Sequence, residues 1–125
     1  MRNLKGGVQL FATLLFAIFG AALARRRFSN YEVAGASMLP TYNPGDWLFV
    51  DHRASPRPGD VVIAQDPRDP ARTIVKRLHH ITDDGRLYLV GDNPQNSTDS
   101  RTYGAVPPEL IRGRVLLRYH RAKKR

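Results

Sequence analysis

Three segments of this chain carry glycines and polar side chains where a plain strand would carry apolar ones. They are Gly35-Ala36-Ser37-Met38-Leu39-Pro40-Thr41, Ile74-Val75-Lys76-Arg77-Leu78 and Gly91-Asp92-Asn93-Pro94-Gln95-Asn96-Ser97-Thr98-Asp99-Ser100-Arg101. Their functional groups suit one chemistry, acyl transfer through a serine hydroxyl that passes its proton to an amine. Gly35 lets the backbone lie close to a bound peptide, and Pro40 stiffens the exit from the Ser37 turn. A serine in a turn is also an ordinary local hydrogen-bonding group, so Ser37 becomes a nucleophile only beside a base. On an extended strand Ile74, Lys76 and Leu78 share one face, and Val75, Arg77 and His79 the other. Lys76 is then the charged member of an apolar stripe. Desolvation disfavours its ammonium form and lowers its pKa, which a lysine needs before it can take a hydroxyl proton near neutral pH. The competing reading is a lysine that buries its stem and extends its charge to water. In the third segment, the Ser97 hydroxyl is suited to hold the lysine. Asp99 and Arg101, two positions apart, share a face if extended and can brace the loop as a pair. Read blandly, the segment is an Asn/Asp/Ser-rich turn with a surface ion pair worth at most about 1 kcal/mol.

Such groups need a frame, and from Tyr31 onward short apolar runs punctuated by Pro, Gly and Asp predict a mostly β one. Candidate strands are Tyr31–Ala34, Trp47–Asp51, Asp60–Gln65, Thr73–Ile81, Arg86–Val90 and Arg114–Tyr119. Pro44-Gly45-Asp46 and Pro58-Gly59-Asp60 each lead into a strand and read as type II turns, Pro presetting the first φ and Gly supplying the positive second one. Asp83-Asp84-Gly85 reads as a hairpin turn. Pro107-Pro108-Glu109-Leu110-Ile111 predicts one helical turn, and little else looks helical. The expected fold is a small β-barrel or a set of folded-over sheets, with an apolar helix at the N-terminus.

With no cysteine among its 125 residues, the chain has no disulfide, thiol nucleophile or Cys-based metal site. The four histidines, His52, His79, His80 and His120, lack the paired helical spacing of a zinc protease. The net charge of +9 divides unevenly: +5 over residues 1–30, −3 over 31–111 and +7 over 112–125. A nucleic-acid binder would more often spread its cations and aromatics over the folded face. Basic ends beside an apolar segment instead suit an anionic membrane surface, and solubilising tails are the bland alternative. Nucleic acid is therefore not an expected partner. Gly6 to Ala24 carries no charge and approaches the length of a bilayer span. A cleavable secretory signal would also begin with Arg2 and Lys5 and end in Ala22-Leu23-Ala24, but Arg25-Arg26-Arg27 opposes translocation. The expectation is an uncleaved, membrane-associated helix, with the arginine cluster pointing to a cytoplasmic location for the domain that follows.

Taken in order, the three segments resemble the type I signal peptidase (leader peptidase) family. Ser-Met-Leu-Pro-Thr is similar to its nucleophile box, Val-Lys-Arg to its base box, and Gly-Asp-Asn followed by Asn-Ser-x-Asp-Ser-Arg to its third box. The resemblance runs from about Val33 to Tyr119. It implies a serine endopeptidase with Ser37 as nucleophile, Lys76 as general base and Ser97 orienting Lys76. Asp99, Arg101 and Arg77 would brace the site. The oxyanion hole would use the Ser37 backbone N–H, with Gly35 where some relatives supply a serine hydroxyl. The implied organisation is a helix with basic flanks over 1–30, the Ser/Lys peptidase domain over 31–119 and a basic tail over 120–125. Only fourteen residues separate Lys76 from Gly91, too few for the extra domain of larger bacterial signal peptidases. Pro94-Gln95 stands where export peptidases usually have Arg-Asp. Both features resemble the short nickel-type superoxide dismutase maturation proteases, which implies a precursor protein as substrate, its nickel belonging to the substrate, and a peptidase needing no metal or cofactor of its own. General removal of export signals is the alternative. The self-cleaving repressors share Ser–Lys chemistry but lack an apolar N-terminus.

Overall fold

The structure, a computed structural model, describes residues 4–123 apart from the side chains of residues 4–6, 24 and 25. Helix α1 (Leu4–Arg27) runs directly into β1 (Phe28–Glu32). Four further strands follow: β2 (Trp47–Asp51), β3 (Val61–Asp66), β4 (Asp69–Ile81) and β5 (Leu87–Val90). A short helix, α2 (Ser100–Tyr103), precedes the last strand, β6 (Ile111–His120). All pairings are antiparallel, in the order β1-β2-β6-β3-β4-β5, so the last strand inserts at the centre of the sheet.

The sheet is not a closed barrel. Its ladder ends at β1 on one side and at β5 on the other, where the outer edge of β5 is partly covered by a bridge from Leu87 to Val106. Register shifts in β2, β3 and β4 bend it instead, so the folded-over alternative describes it better. Side chains alternate across β3 and β4, and both faces are buried. Val61, Ile63 and Val75 pack with Met38, Leu48 and Val50 on one side. Val62, Ala64, Ile74 and Leu78 pack with Leu87, Leu89 and Val106 on the other. Burial on both faces is why β3 reads as a continuous apolar run, Val61–Ala64, rather than an alternating one.

The Pro-Gly turns form as expected. Gly45 and Gly59 have φ of 89° and 97°, and Asp46 and Asp60 donate their N–H to the carbonyls of Asn43 and Arg57 at 3.0 and 2.9 Å. The Asp83-Asp84-Gly85 hairpin and the turn at Pro108–Leu110 are also present. β3 and β5 differ from expectation by no more than a single residue at an end. β6 starts at Ile111 rather than Arg114, taking Ile111 from the expected helical turn because it pairs with Ala64 on β3. Two further boundaries have a local cause. β1 starts and ends earlier than Tyr31–Ala34, because Val33 leaves the ladder to exchange hydrogen bonds with Gly45 and Asp46 across the Pro-Gly turn. β4 starts at Asp69 rather than Thr73, because the Asp66 carboxylate accepts the Arg68 N–H and closes a tight turn that carries Pro70 into the strand. Helix α2 was not expected; Asp99 caps its start by accepting from the Arg101 N–H, and Gly104 at φ 81° ends it.

The basic C-terminus is not simply a solubilising tail. Arg118 on β6 pairs with buried Asp46 at 3.0 Å, and the Ala122 N–H donates to the same carboxylate at 2.8 Å. Burial would raise the Asp46 pKa, but these donors and the Asn43 N–H hold it below the usual carboxylate range. On α1 the side chains of Leu10, Phe11, Phe16 and Phe19 are exposed. Among the described residues no helix is long and apolar enough to cross a membrane. Arg2, Lys124, Arg125 and the side chains of Lys5, Ala24 and Arg25 lie outside the described residues.

Candidate active site

Ser37 sits in the loop between β1 and β2. Gly35, two residues before it, has φ 76°, a conformation that side-chain-bearing residues avoid, and a Cβ there would meet nothing within 4 Å. Met38 is fully buried and anchors the loop to the core. From the third segment, Asn93 clamps the loop backbone: its N–H donates to the Ser37 carbonyl at 2.9 Å and its Nδ2 to the Ala36 carbonyl at 3.0 Å. Among the described residues the Ser37 N–H has no acceptor, which leaves it available to a bound oxygen.

Lys76 stands on β4 between Ile74 and Leu78 on the buried face, 4% exposed. Its Nζ donates to Ser97 Oγ at 2.9 Å, and Ser97 Oγ donates in turn to Asp99 Oδ2 at 2.5 Å. The direction of this chain matters. Because the Ser97 proton is committed to Asp99, Ser97 can only accept from the amine, and a neutral Lys76 then aims its lone pair elsewhere. Burial lowers the Lys76 pKa; Asp99 opposes this, but Arg72, Arg68 and Arg101 add to it, and the net shift is downward.

Asp99 is the hub of the third segment. It is fully buried and accepts from Arg101 Nε (3.0 Å), Arg101 Nη2 (2.6 Å), the Arg101 N–H (3.1 Å) and the Gly91 N–H (2.8 Å) as well as from Ser97. Burial alone would raise its pKa, yet the donors outweigh it and hold the carboxyl far below the usual range. The bland reading of a surface pair therefore does not describe Asp99. Arg77 lies on the other face of β4 from Lys76. It grips Asp92 through two bonds of 2.8 Å, and Asp92 accepts from Thr41 Oγ1 at 2.5 Å. Arg77 thus ties the serine segment to the third segment without touching the hydroxyl or the amine.

The spacing of the three segments assigns no separate role to Gly91, Asp92, Asn93 or Thr41. Each acts through a backbone atom or a long-range partner, and spacing does not show those. Gly91 has the sharpest requirement. A Cβ there would lie 2.6 Å from the Ser37 carbonyl oxygen and from Ser97 Cβ, and would overlap Ser97 Oγ. Gly91→Ala is expected to cost about 1–3 kcal/mol of stability. It should also lower cleavage at least about tenfold, since an ångström of misplacement is costly in catalysis. Urea unfolding and a peptide-cleavage assay on the same preparation would check both.

Ser37 and Lys76 line one cleft of about 220 Å³, together with Tyr31, Ala34, Gly35 and Thr73. Before Arg77, β4 pairs only with β3, so its other edge is open beside the cleft. An extended peptide can add to such an edge. The arrangement offers a hydroxyl, a desolvated amine, an unengaged N–H and a strand edge in one place.

The sequence model of the Peptidase S24-like family matches residues 22–106, a span that includes all three segments. The chain belongs to the Peptidase S24-like family. Among its relatives, mitochondrial inner membrane protease subunit 1 of Homo sapiens is 37% identical over 108 residues, covering 68% of this chain and 65% of that protein. The mitochondrial ATP-independent inner membrane protease subunit 1a of Arabidopsis thaliana is 36% identical over 116 residues, covering 72% of this chain and 69% of its own. Subunit 1 of Schizosaccharomyces pombe is 31% identical over 130 residues, covering 86% and 83%. This Peptidase S24-like chain spans 65% of the length of the human and mouse relatives. The expectation of a signal-peptidase-like family holds at that level.

Proposed function

We propose that this chain is a serine endopeptidase that removes N-terminal leaders from precursor proteins through a Ser37/Lys76 dyad. The observation that carries the reading is the buried Lys76 amine, held by Ser97 in the same cleft as Ser37. Neutral Lys76 takes the Ser37 hydroxyl proton as Oγ attacks the scissile carbonyl carbon. The developing oxyanion is received by the Ser37 N–H. On collapse of the tetrahedral intermediate the C–N bond breaks, and Lys76 returns the proton to the leaving amine. Water, deprotonated by Lys76, then attacks the Ser37 ester; the acid product leaves and the serine is restored.

For the substrate, the pro-form of nickel-type superoxide dismutase is the reading favoured by Pro94-Gln95 and by the fourteen-residue spacing of Lys76 and Gly91. Leader removal at a membrane is the second reading. It is supported by the names of the relatives, inner membrane proteases, and by the exposed apolar side chains of α1. On the first reading the catalytic domain works in the cytoplasm. Incubating wild type and Ser37→Ala with the dismutase pro-form and, separately, with a secretory preprotein tests both, with intact-mass analysis as readout. Single-site trimming of the pro-form by wild type alone supports maturation; trimming of the preprotein alone supports export processing. Equal trimming by Ser37→Ala would sink the dyad.

A further inference from the structure

The hairpin joining β3 to β4 brings two arginines to the rim of the cleft that holds Ser37 and Lys76. Arg68 is committed to Asp66, which is buried. Its Nε and Nη2 reach the two carboxylate oxygens at 3.1 and 2.9 Å, and its guanidinium lies 5.6 Å over the Tyr103 ring. Arg72 has no such engagement. Its Nε is 3.9 Å from an Asp66 oxygen that Arg68 already holds, and its side chain is 65% exposed. One carboxylate thus faces two guanidiniums, and none of the described residues lining the cleft is acidic. The fork of donors on Arg72 is left without a hydrogen-bonding partner among the described residues, in a geometry that suits a carboxylate.

Its position follows from its place on β4. Arg72 stands four residues before Lys76, at the irregularity where the ladder with β3 shifts register, and lines the same cleft, so about 13 Å of backbone separates the two positions. A peptide laid extended along the open edge of β4, with its scissile carbonyl at Ser37, has the same rise per residue. A side chain within about four residues of the scissile bond therefore reaches Arg72.

We infer that Arg72, backed by Arg68, forms an anion-recognising subsite that selects substrates with an Asp or Glu side chain within about four residues of the cleaved bond. The inference rests on reading the cleft as the peptidase site. The test separates the two by measuring binding apart from turnover. The full chain carrying Ser37→Ala is titrated, by NMR chemical-shift perturbation, with Ala/Ser decapeptides bearing one Glu or one Gln at each position in turn. At one position Glu should bind about two- to fivefold more tightly than Gln. That preference should vanish in Ser37→Ala/Arg72→Gln and reverse toward a Lys peptide in Ser37→Ala/Arg72→Glu. Equal affinity for Glu and Gln at every position overturns the subsite. The same peptides are then offered to the enzyme with Ser37 intact, and the ratio of kcat/KM for Glu over Gln is compared with that of Arg72→Gln. A ratio is required because the Arg72 charge also lowers the Lys76 pKa, an effect common to both peptides that cancels. Selective binding without any cleavage would leave the subsite standing and bring down the peptidase reading; cleavage without selectivity would do the opposite.

Discussion

Lys76→Ala and Lys76→Arg are each expected to reduce kcat/KM by at least about 10³-fold, because the two members of a nucleophile–base unit fail together. Arginine keeps the positive charge but cannot be deprotonated at working pH, so it cannot accept the Ser37 proton. The accompanying stability result separates the dyad from a structural lysine. Burial disfavours the Lys76 ammonium, so Lys76→Met, which keeps the volume and removes the charge, should be at least as stable as wild type at pH 7. Cleavage lost in a variant that melts no earlier is the signature of a residue kept for chemistry. The pH dependence has a definite sign. In the proposed dyad only neutral Lys76 acts as base, so kcat/KM should rise with pH through its folded-state pKa, which lies below the ordinary lysine value of 10.5. Between the folded and unfolded values the unfolded chain binds more protons at this site, so wild-type stability gains on Lys76→Met as pH rises. A flat pH–rate profile together with a destabilised Lys76→Met protein would return Lys76 to the structural reading.

Asp99→Ala should give the largest loss of stability. Removing the carboxylate leaves the Gly91 N–H and the Arg101 guanidinium without their acceptor beside a fully buried position. Breaking a buried pair costs several kcal/mol; because the Arg101 side chain is 39% exposed and can turn to water, the expected loss is about 3 kcal/mol. Activity should fall at least about tenfold even where the variant is fully folded. The Ser97 hydroxyl, released from Asp99, can donate to the Lys76 nitrogen and occupy the lone pair that Ser37 needs. The stability gap between wild type and Asp99→Ala has its own pH test. The folded Asp99 pKa is depressed, so its contribution is present in full above the unfolded carboxylate value, about 3.9. It is lost as pH falls from there through the folded value. Urea unfolding from pH 7 to strong acid should show a constant gap that closes only at the acid end; a gap already closing near neutrality would mean that Asp99 is not held as described.

Composition and local pattern were enough for the six strands and their turns, though not for α2 or for every strand boundary. Glycine after proline twice, with a positive φ at each, marks the two turns regardless of what surrounds them. The run Val61–Ala64 and the stripe Ile74, Lys76, Leu78 follow from the two-residue period of a strand. Ser37, Lys76, Ser97, Asp99 and Arg101 were legible because the groups that could do chemistry stand out against apolar neighbours, and their order along the chain matches a known set of motifs. Whether Lys76 was buried or reached water was open in the sequence, since the same stripe fits either, and only the packing of Ile74 and Leu78 into the core decided it. Three further things were out of reach for the same reason. The sheet ends at β1 and β5, and the outer edge of β5 meets Val106, through one bridge to Leu87, rather than β1. The basic end contributes a central strand because Arg118 and Ala122 find Asp46 more than seventy residues away in the chain. Gly91 and Asn93 shape the serine loop through backbone contacts that no side-chain pattern records. Periodicity along the chain shows which face a residue presents; what stands opposite that face is set by long-range pairing.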